Sequence, residues 1–250
     1  MTGALANSRR SLRVRGASSR GPGNGASRGP SEVVSHYLEA IYYMWSEGEP
    51  LRSARLADWL SVSRPTVTVA LRRMTRDGMV RLNARKEVEL TAKGRRLAEA
   101  IVRRHRIMER WLTDGLGLDW VTADEEAARL EHAVSDVVEK RLYEVLGRPG
   151  TCPHGNPIPG YSEAAPNELR LTNVDAGARA SITRVSEVAE REAPLLLAYL
   201  HERKLVPGQK IAVLEVDDVG RTLRVRAGGR LVTLSHDTAA KLWVVPTRTK

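Results

Sequence analysis

Ser61-Val62-Ser63-Arg64-Pro65-Thr66-Val67-Thr68-Val69-Ala70-Leu71-Arg72-Arg73-Met74 is the stretch from which the fold is best read. Ser61 to Ser63 is a tight turn, and a helix follows. Pro65 is tolerated there because it lies in the first turn, where no backbone N–H has an intrahelical partner to lose. Upstream, Ser53 to Leu60 reads as a short helix with Leu56, Ala57 and Leu60 on its inner face; downstream, Asp77-Gly78 stops the second helix. Val80 to Leu82 and Glu87 to Leu90 then read as two short strands around a polar tip, Asn83-Ala84-Arg85-Lys86. Helix, turn, helix and basic hairpin is the order of a winged helix-turn-helix. In such a unit the second helix lies in the major groove. Ser63, Arg64, Pro65, Thr66, Thr68 and Val69 are then the candidates for base edges and nearby phosphates, and Arg52, Arg55, Arg72, Arg73, Arg85 and Lys86 for phosphates that set register. A small helical domain using the hairpin for protein contacts would share the pattern, but the basic excess of this segment favours DNA.

Outward from this unit, Val33, Val34, Tyr37, Leu38, Ile41, Tyr42 and Trp45 keep helical spacing until Gly48-Glu49-Pro50. Beyond the hairpin a long helix is expected from Thr91 to about Asp114, with Leu97, Ile101, His105, Met108 and Leu112 along one face. Thr122-Ala123-Asp124-Glu125 has capping-box spacing, so a new helix should open there and carry Leu130-Glu131-His132-Ala133-Val134-Ser135-Asp136. Adjacent helical residues point about 100° apart, so Glu131 and His132 cannot both face water. Two other segments hold polar pairs at helical spacing: His36 with Glu39, and His105 with Glu109. Each pair alone reads as an ordinary hydrogen-bonded or solvated pair; three in one chain point to ligands converging on a metal held between helices. Trp111, Leu116, Trp120, Leu130, Val134, Val137 and Leu142 exceed what one thin helical layer needs, so some are expected at a subunit interface, the alternative being that all are core.

Residues 148–168, rich in Pro, Gly and polar groups, read as a linker. Alternating strands follow at Ala180 to Val185, Lys210 to Val216, Thr222 to Val225, Leu231 to Leu234 and Trp243 to Val245, with a helix from Pro194 to Glu202. A small β-barrel is expected there. The single Cys, Cys152, excludes an intramolecular disulfide framework and fits a reducing cytosol. No apolar run approaches a membrane span. The net charge of +10 is uneven. Residues 1–30, read as a disordered tail, hold six Arg and no acid; 31–96 carry four excess bases, 97–160 three excess acids and 161–250 three excess bases. A basic surface joined to an acidic middle suits nucleic acid on one side and a cation on the other. Arg9-Arg10 is a twin-arginine pair with no hydrophobic region behind it, which argues against export.

The residues Tyr37-Leu38-Glu39-Ala40-Ile41-Tyr42, Val62 to Thr68, Leu90-Thr91-Ala92-Lys93-Gly94, Arg103-Arg104-His105-Arg106, Leu130 to Asp136 and Cys152-Pro153-His154-Gly155-Asn156-Pro157-Ile158-Pro159 occur in the order and spacing of one family. Over residues 32–160 the chain resembles the DtxR-type family of metal-dependent repressors, which includes iron- and manganese-responsive members. The resemblance implies a mainly α chain with small β parts: a disordered basic tail (1–30), a winged helix-turn-helix (31–96), a helical metal-binding and dimerisation domain (97–147), a linker (148–168) and an SH3-like, FeoA-like domain (169–250). It implies a homodimer, ordered by divalent metal for binding operator DNA, that represses uptake genes in the cytoplasm. His36 occupies the position of an Asp in manganese-type and a Met in iron-type members. Glu39, His105, Glu131 and His132 match ligand positions, and Glu109 matches a carboxylate of the ancillary site. Asp124 replaces an iron-type His, and Ala128 stands where the family has Cys or Glu, so one side-chain ligand is missing. Glu192 falls near where the SH3-like domain can lend a carboxylate. Imidazole and carboxylate donors accept Mn²⁺ or Fe²⁺, and also Zn²⁺ or Co²⁺. On this reading Cys152 is structural and His154 a loop hydrogen-bonder. The expected function is a non-enzymatic, metal-activated repressor of iron or manganese homeostasis genes. The alternatives are a winged-helix regulator that has lost metal control through Ala128, and a metallohydrolase, for which no acid–base constellation stands out.

Overall fold

Helix α1 (Glu32–Ser46) is amphipathic, and Leu38, Ile41 and Met44 are buried along one stripe. The computed structural model describes residues 30–188 and 194–247; the N-terminal tail read as disordered and Glu192 lie outside the described residues. Helix α2 (Ser53–Leu60) ends with Ser61 in the left-handed conformation, and Ser63 caps α3 (Arg64–Arg76) by accepting a hydrogen bond from the Thr66 amide at 3.3 Å. Strands β1 (Val80–Leu82) and β2 (Val88–Leu90) pair antiparallel. Asn83 Oδ1 builds the tip between them by accepting from the amides of Arg85 and Glu87. Leu38 and Ile41 of α1, Leu56 of α2 and Val67, Leu71 and Met74 of α3 share one core. The position of α1 therefore fixes the position of α3.

Thr91 joins this unit to α4 (Ala92–Arg110). Its hydroxyl accepts from the Gly94 amide at 3.1 Å and donates to the Gly78 carbonyl at 2.7 Å. Gly94 is required because a Cβ there would sit 1.9 Å from the Met79 carbonyl oxygen. Helix α4 continues into a π-helical turn (Trp111–Gly115), and α5 (Trp120–Leu130) and α6 (Asp136–Val145) follow. Two expectations are corrected here. Helix α5 opens at Trp120, because Asp119 caps it through the Val121 and Thr122 amides, rather than at a Thr122 capping box. It also stops at Leu130, so Glu131 and His132 lie on the turn before α6 and not within a helix. Glu139 ties α6 to α4 by accepting from Arg103 Nε at 2.5 Å and Arg104 Nε at 2.9 Å. Trp111, Leu130, Val134 and Leu142 pack on the core of Met108, Leu112, Ala123 and Ala127, and Trp120 packs against the C-terminal core. Leu116 and Val137 remain exposed.

The C-terminal unit holds β3 (Leu169–Arg170), β4 (Arg179–Val185), α7 (Pro194–Glu202), β5 (Lys210–Asp217), β6 (Thr222–Ala227), β7 (Arg230–Ser235), α8 (His236–Ala239) and β8 (Leu242–Pro246). Its antiparallel sheet has the order β3-β8-β4-β5-β6-β7. Register shifts at Ile182/Arg184 and Val213/Glu215 increase its twist. Cys152 to Asn156 are buried, with Gly155 at φ +88° laid so closely on β4 that a Cβ would fall 2.0 Å from the Thr183 carbonyl oxygen. A second tie runs to the end of α1. The Glu47 carboxylate accepts from Arg184 at 3.1 Å, Arg170 at 3.2 Å and Trp243 Nε1 at 3.0 Å. Among the described residues, no helix is long and apolar enough to cross a membrane.

Candidate metal centre and DNA-facing surface

His105, in the last third of α4, is the hub on which carboxylates from four places converge. Its Nδ1 lies 2.9 Å from Glu131 Oε2 and 4.0 Å from Glu39 Oε1 of α1; its Nε2 lies 3.2 Å from Asp124 Oδ1 of α5 and 3.9 Å from Glu109 Oε2, one turn further along α4. Glu131, the C-cap of α5 with its backbone still in the right-handed helical region, turns its side chain inward to this imidazole, where only 1% of it is exposed. A cavity of about 70 Å³ opens beside the cluster, bounded by His36, Glu39, Tyr43, His105, Asp124 and the methyl group of Ala128.

So many acids in one buried place cannot all stay ionised unaided. Burial, and then the charge of Glu131, push the Glu39 carboxyl up to about 7, although Tyr43 donates a 2.7 Å hydrogen bond to it. Burial alone would pull the His105 imidazolium down; the hydrogen bonds to Asp124 and Glu131 and the charges of Glu109 and Glu131 outweigh it and hold the ring well above its ordinary value. Glu131 Oε1 and Glu109 Oε1 are buried and accept no hydrogen bond. Buried carboxylate oxygens in that condition are costly, and a divalent cation is the group that would satisfy them. The donor set therefore fits a metal.

Two further groupings flank the hub. Glu109, Cys152 and His154 each present a ligand atom within 4.8 Å of the others, all three buried, with His154 Nδ1 3.1 Å from Glu109 Oε1. Cys152 and His154, read from the sequence as structural and as a loop hydrogen-bonder, thus stand where they could also present ligand atoms beside Glu109. The signal for it was the Cys-x-His spacing on a loop that Gly155 presses inward. Glu109 faces His105 with one oxygen and His154 with the other. His36 and His132 stand outside, exposed, their Nε2 atoms 3.3 Å apart. Glu187, not singled out from the sequence, is the residue of the C-terminal unit that borders the cavity. It is buried and accepts from Arg106 Nε at 2.8 Å.

On the winged unit, the cap residue Ser63 and Arg64, Pro65, Thr66, Thr68, Val69, Arg72 and Arg73 of α3 are all exposed, as are Arg85 and Lys86 at the hairpin tip and Arg52 before α2. Arg55 is half-buried and pairs with Glu49 at 3.7 Å. Arg76 on α3 and Arg81 on β1, passed over in the sequence, are exposed as well; Arg81 is paired with Glu89 at 2.8 Å.

Three family models cover the described chain in succession: "Iron dependent repressor, N-terminal DNA binding domain" over residues 31–88, "Iron dependent repressor, metal binding and dimerisation domain" over 91–160, and "FeoA domain" over 169–246. The iron-dependent repressor IdeR of Mycobacterium leprae is 38% identical over 83% of this chain and 94% of its own length. The diphtheria toxin repressor of Corynebacterium diphtheriae is 45% identical over 63% of this chain and 67% of its own. Among solved structures, a manganese-dependent transcriptional repressor in complex with manganese superposes with a TM-score of 0.77 at 30% identity, covering 86% of this chain and all of the other.

Proposed function

This chain belongs to the DtxR-type family of iron-dependent repressors, and from that premise we propose that it is a metal-activated, DNA-binding transcriptional repressor of iron or manganese homeostasis genes. The observation that carries the reading is the convergence on His105 of Glu39 from α1, Glu109 from α4, Asp124 from α5 and Glu131 from the following turn. His36 and His132 lie at its outer edge, and Cys152 and His154 extend it through Glu109.

A bound Mn²⁺ or Fe²⁺, or Zn²⁺ or Co²⁺, supplies the positive charge that these acids lack. The thiolate of Cys152 adds a soft donor that favours the later ions on that side. Glu39 is the lever. Its ionisation draws α1 towards α4 and α5, and α1 shares a core with α3, so the metal-ordered state holds the reading helix in place. Ser63, Arg64, Pro65, Thr66, Thr68 and Val69 then face base edges, and Arg52, Arg55, Arg72, Arg73, Arg85 and Lys86 the phosphates. The protein acts as a homodimer in the cytoplasm without catalysing a reaction. Its units are the winged domain (31–96), the helical domain (97–147), a connecting segment (148–168) and the SH3-like domain (169–250).

The test is binding to DNA from the protein's own promoter, in chelator and then with each of the four ions at buffered free concentration. Binding that requires metal and is lost in Glu131→Ala and Glu39→Ala supports the proposal. Equal binding with and without metal would show that the Ala128 chain no longer senses.

A further inference from the structure

We propose that Glu47 is a positioning residue for operator binding: clamped to the C-terminal sheet, it makes the end of α1 a fixed point about which the rest of that helix turns. The inference rests on the metal-activated reading, in which Glu39 moves α1. It goes beyond that reading by giving the C-terminal unit a part in passing the signal to α3.

The seat for Glu47 is one row of side chains across three adjacent strands. Arg170 of β3 and Arg184 of β4 are both direct cross-strand partners of Trp243 on β8, the strand between them. Both guanidinium groups lie over the indole, their Cζ atoms 4.6 and 4.1 Å from a ring centroid. Each is also held from behind: Arg184 Nε donates to Glu168 at 2.7 Å, and Arg170 Nη1 to the Ala240 carbonyl at 2.6 Å. Into this seat Glu47, the C-cap of α1, puts a fully buried carboxylate. Its Oε1 accepts from Arg184 Nη1 at 3.1 Å, and its Oε2 from Arg170 Nη2 at 3.2 Å and Trp243 Nε1 at 3.0 Å. Arg170 Nη2 reaches the Glu47 carbonyl as well, at 3.3 Å. Charge-assisted bonds of this kind fix direction as well as distance, so the end of α1 is seated on the sheet.

The other end of α1 is packed loosely. The Ser31 side chain makes no capping bond, and Val33 is exposed. Ser31, Val33 and Val34 share a groove of about 600 Å³ with Pro65, Thr66 and Val69 of α3. Glu39 lies between the two ends. At a rise of 1.5 Å per residue it stands about 12 Å from Glu47, and Glu32 about 22 Å. With Glu47 fixed, a shift of Glu39 towards α4 and α5 is therefore nearly doubled at the start of α1, beside the residues that face DNA. With Glu47 released, α1 can answer the same pull by moving as a whole, and less of it reaches α3. A contact that only held the units together would add stability and leave this transmission untouched.

The test compares the operator affinity of the full-length protein in chelator and at saturating Mn²⁺; the ratio is the gain due to metal. Mn²⁺ binding to the DNA-free protein is followed in parallel by electron paramagnetic resonance, and every protein is measured well below its own melting temperature. Coupled sites usually give a gain of about 5- to 150-fold, and Glu47→Ala should cut it about fivefold while Mn²⁺ still binds with wild-type stoichiometry. Trp243→Phe keeps the ring against both arginines and loses only the Nε1–H bond; it should cut the gain about twofold, and it decides the matter if Glu47→Ala does not fold. Val225→Ala lowers stability from within the C-terminal core without touching the row, and should leave the gain unchanged. If the gain survives in Glu47→Ala and Trp243→Phe, or falls as far in Val225→Ala, the contact only holds the units together and the proposal fails. If the wild type itself gains nothing from metal, it is the metal-activated reading that fails, and the lever with it.

Discussion

Replacing Glu39 by Gln should make the metal-free protein more stable and the metal-loaded protein less so. The Glu39 carboxyl titrates at about 7 in the fold, against 4.5 for an ordinary Glu, because burial and then the charge of Glu131 oppose its ionisation. With the folded value raised, the native state binds the extra proton between those two values, and stability is lost as pH rises through that window. Above pH 7 the cost amounts to roughly 3 kcal/mol. Gln keeps the acceptor for the Tyr43 hydroxyl and carries no charge, so it removes that cost. At about 2–4 °C per kcal/mol for a chain of this size, the variant in chelator should unfold roughly 6–12 °C higher than wild type at pH 8, with no difference at pH 4.5. Mn²⁺ should reverse the order once it reaches about a thousandfold excess over Kd, which stabilises a competent site by about 4.1 kcal/mol and so exceeds that cost, while the variant has lost a ligand. The assay is thermal unfolding from pH 4.5 to 8.5, with chelator and with Mn²⁺. Parallel melting curves for the two proteins across that range would refute the placement of an uncompensated acid at this point.

Three further outcomes follow from other parts of the molecule. Arg85→Ala and Lys86→Ala should each lower the slope of log affinity against log salt by about one while leaving sequence preference unchanged, measured by fluorescence anisotropy on operator and scrambled DNA. Glu47→Ala removes one of the two carboxylates on the buried Arg184 guanidinium, leaving Glu168 at 2.7 Å, and takes the acceptor from Trp243 Nε1, so the urea midpoint should fall by the equivalent of about 1–3 kcal/mol. Cys152→Ser should abolish the ultraviolet thiolate-to-cobalt charge-transfer band of the Co²⁺ complex; a band that persists would place the thiol outside the centre.

The winged unit was legible because its signals are local. A capping Ser63, a Pro in the first turn, a stop at Asp77-Gly78 and a polar hairpin tip each act within a few residues. The α7 boundaries and the alternating strands of the C-terminal unit were legible for the same reason. The end of α5 was not. Leu130 to Val134 contains neither Gly nor Pro, and the apolar spacing runs on; the Ser135 cap that opens α6 is the one local mark of a new start. Cys152 and His154 did not stand out as candidate ligands because nothing near them in the chain is one, and Glu109 lies more than forty residues away in sequence. Glu47 reads as a solvated acid at a helix end. Its burial depends on two arginines and a tryptophan from the far end of the chain.

How the protein treats its other buried acids gives the strongest reason to regard the His105 cluster as a cation's place. Glu47 is matched by Arg184 and Arg170, Glu187 by Arg106, and Glu139 by Arg103 and Arg104. Around the centre, then, arginine is the standing answer to a buried carboxylate. At Glu39, Glu109, Asp124 and Glu131 the ion pairs run instead to imidazoles, His105 for all four with His154 beside Glu109 and His132 beside Glu131, next to a cavity of about 70 Å³. The deficit is local, and a small ion would fill it. A permanent cation delivered from the cavity wall should therefore imitate metal. In Ala128→Lys the ammonium replaces a methyl group that borders Glu39, His105 and Asp124. That variant should bind operator DNA in chelator with an affinity near that of the metal-loaded wild type, and its melting temperature should no longer respond to Mn²⁺. If it folds, melts higher than wild type in chelator and still requires metal for DNA, then neutralising these carboxylates is not what orders α1, and coordination geometry must carry the signal instead.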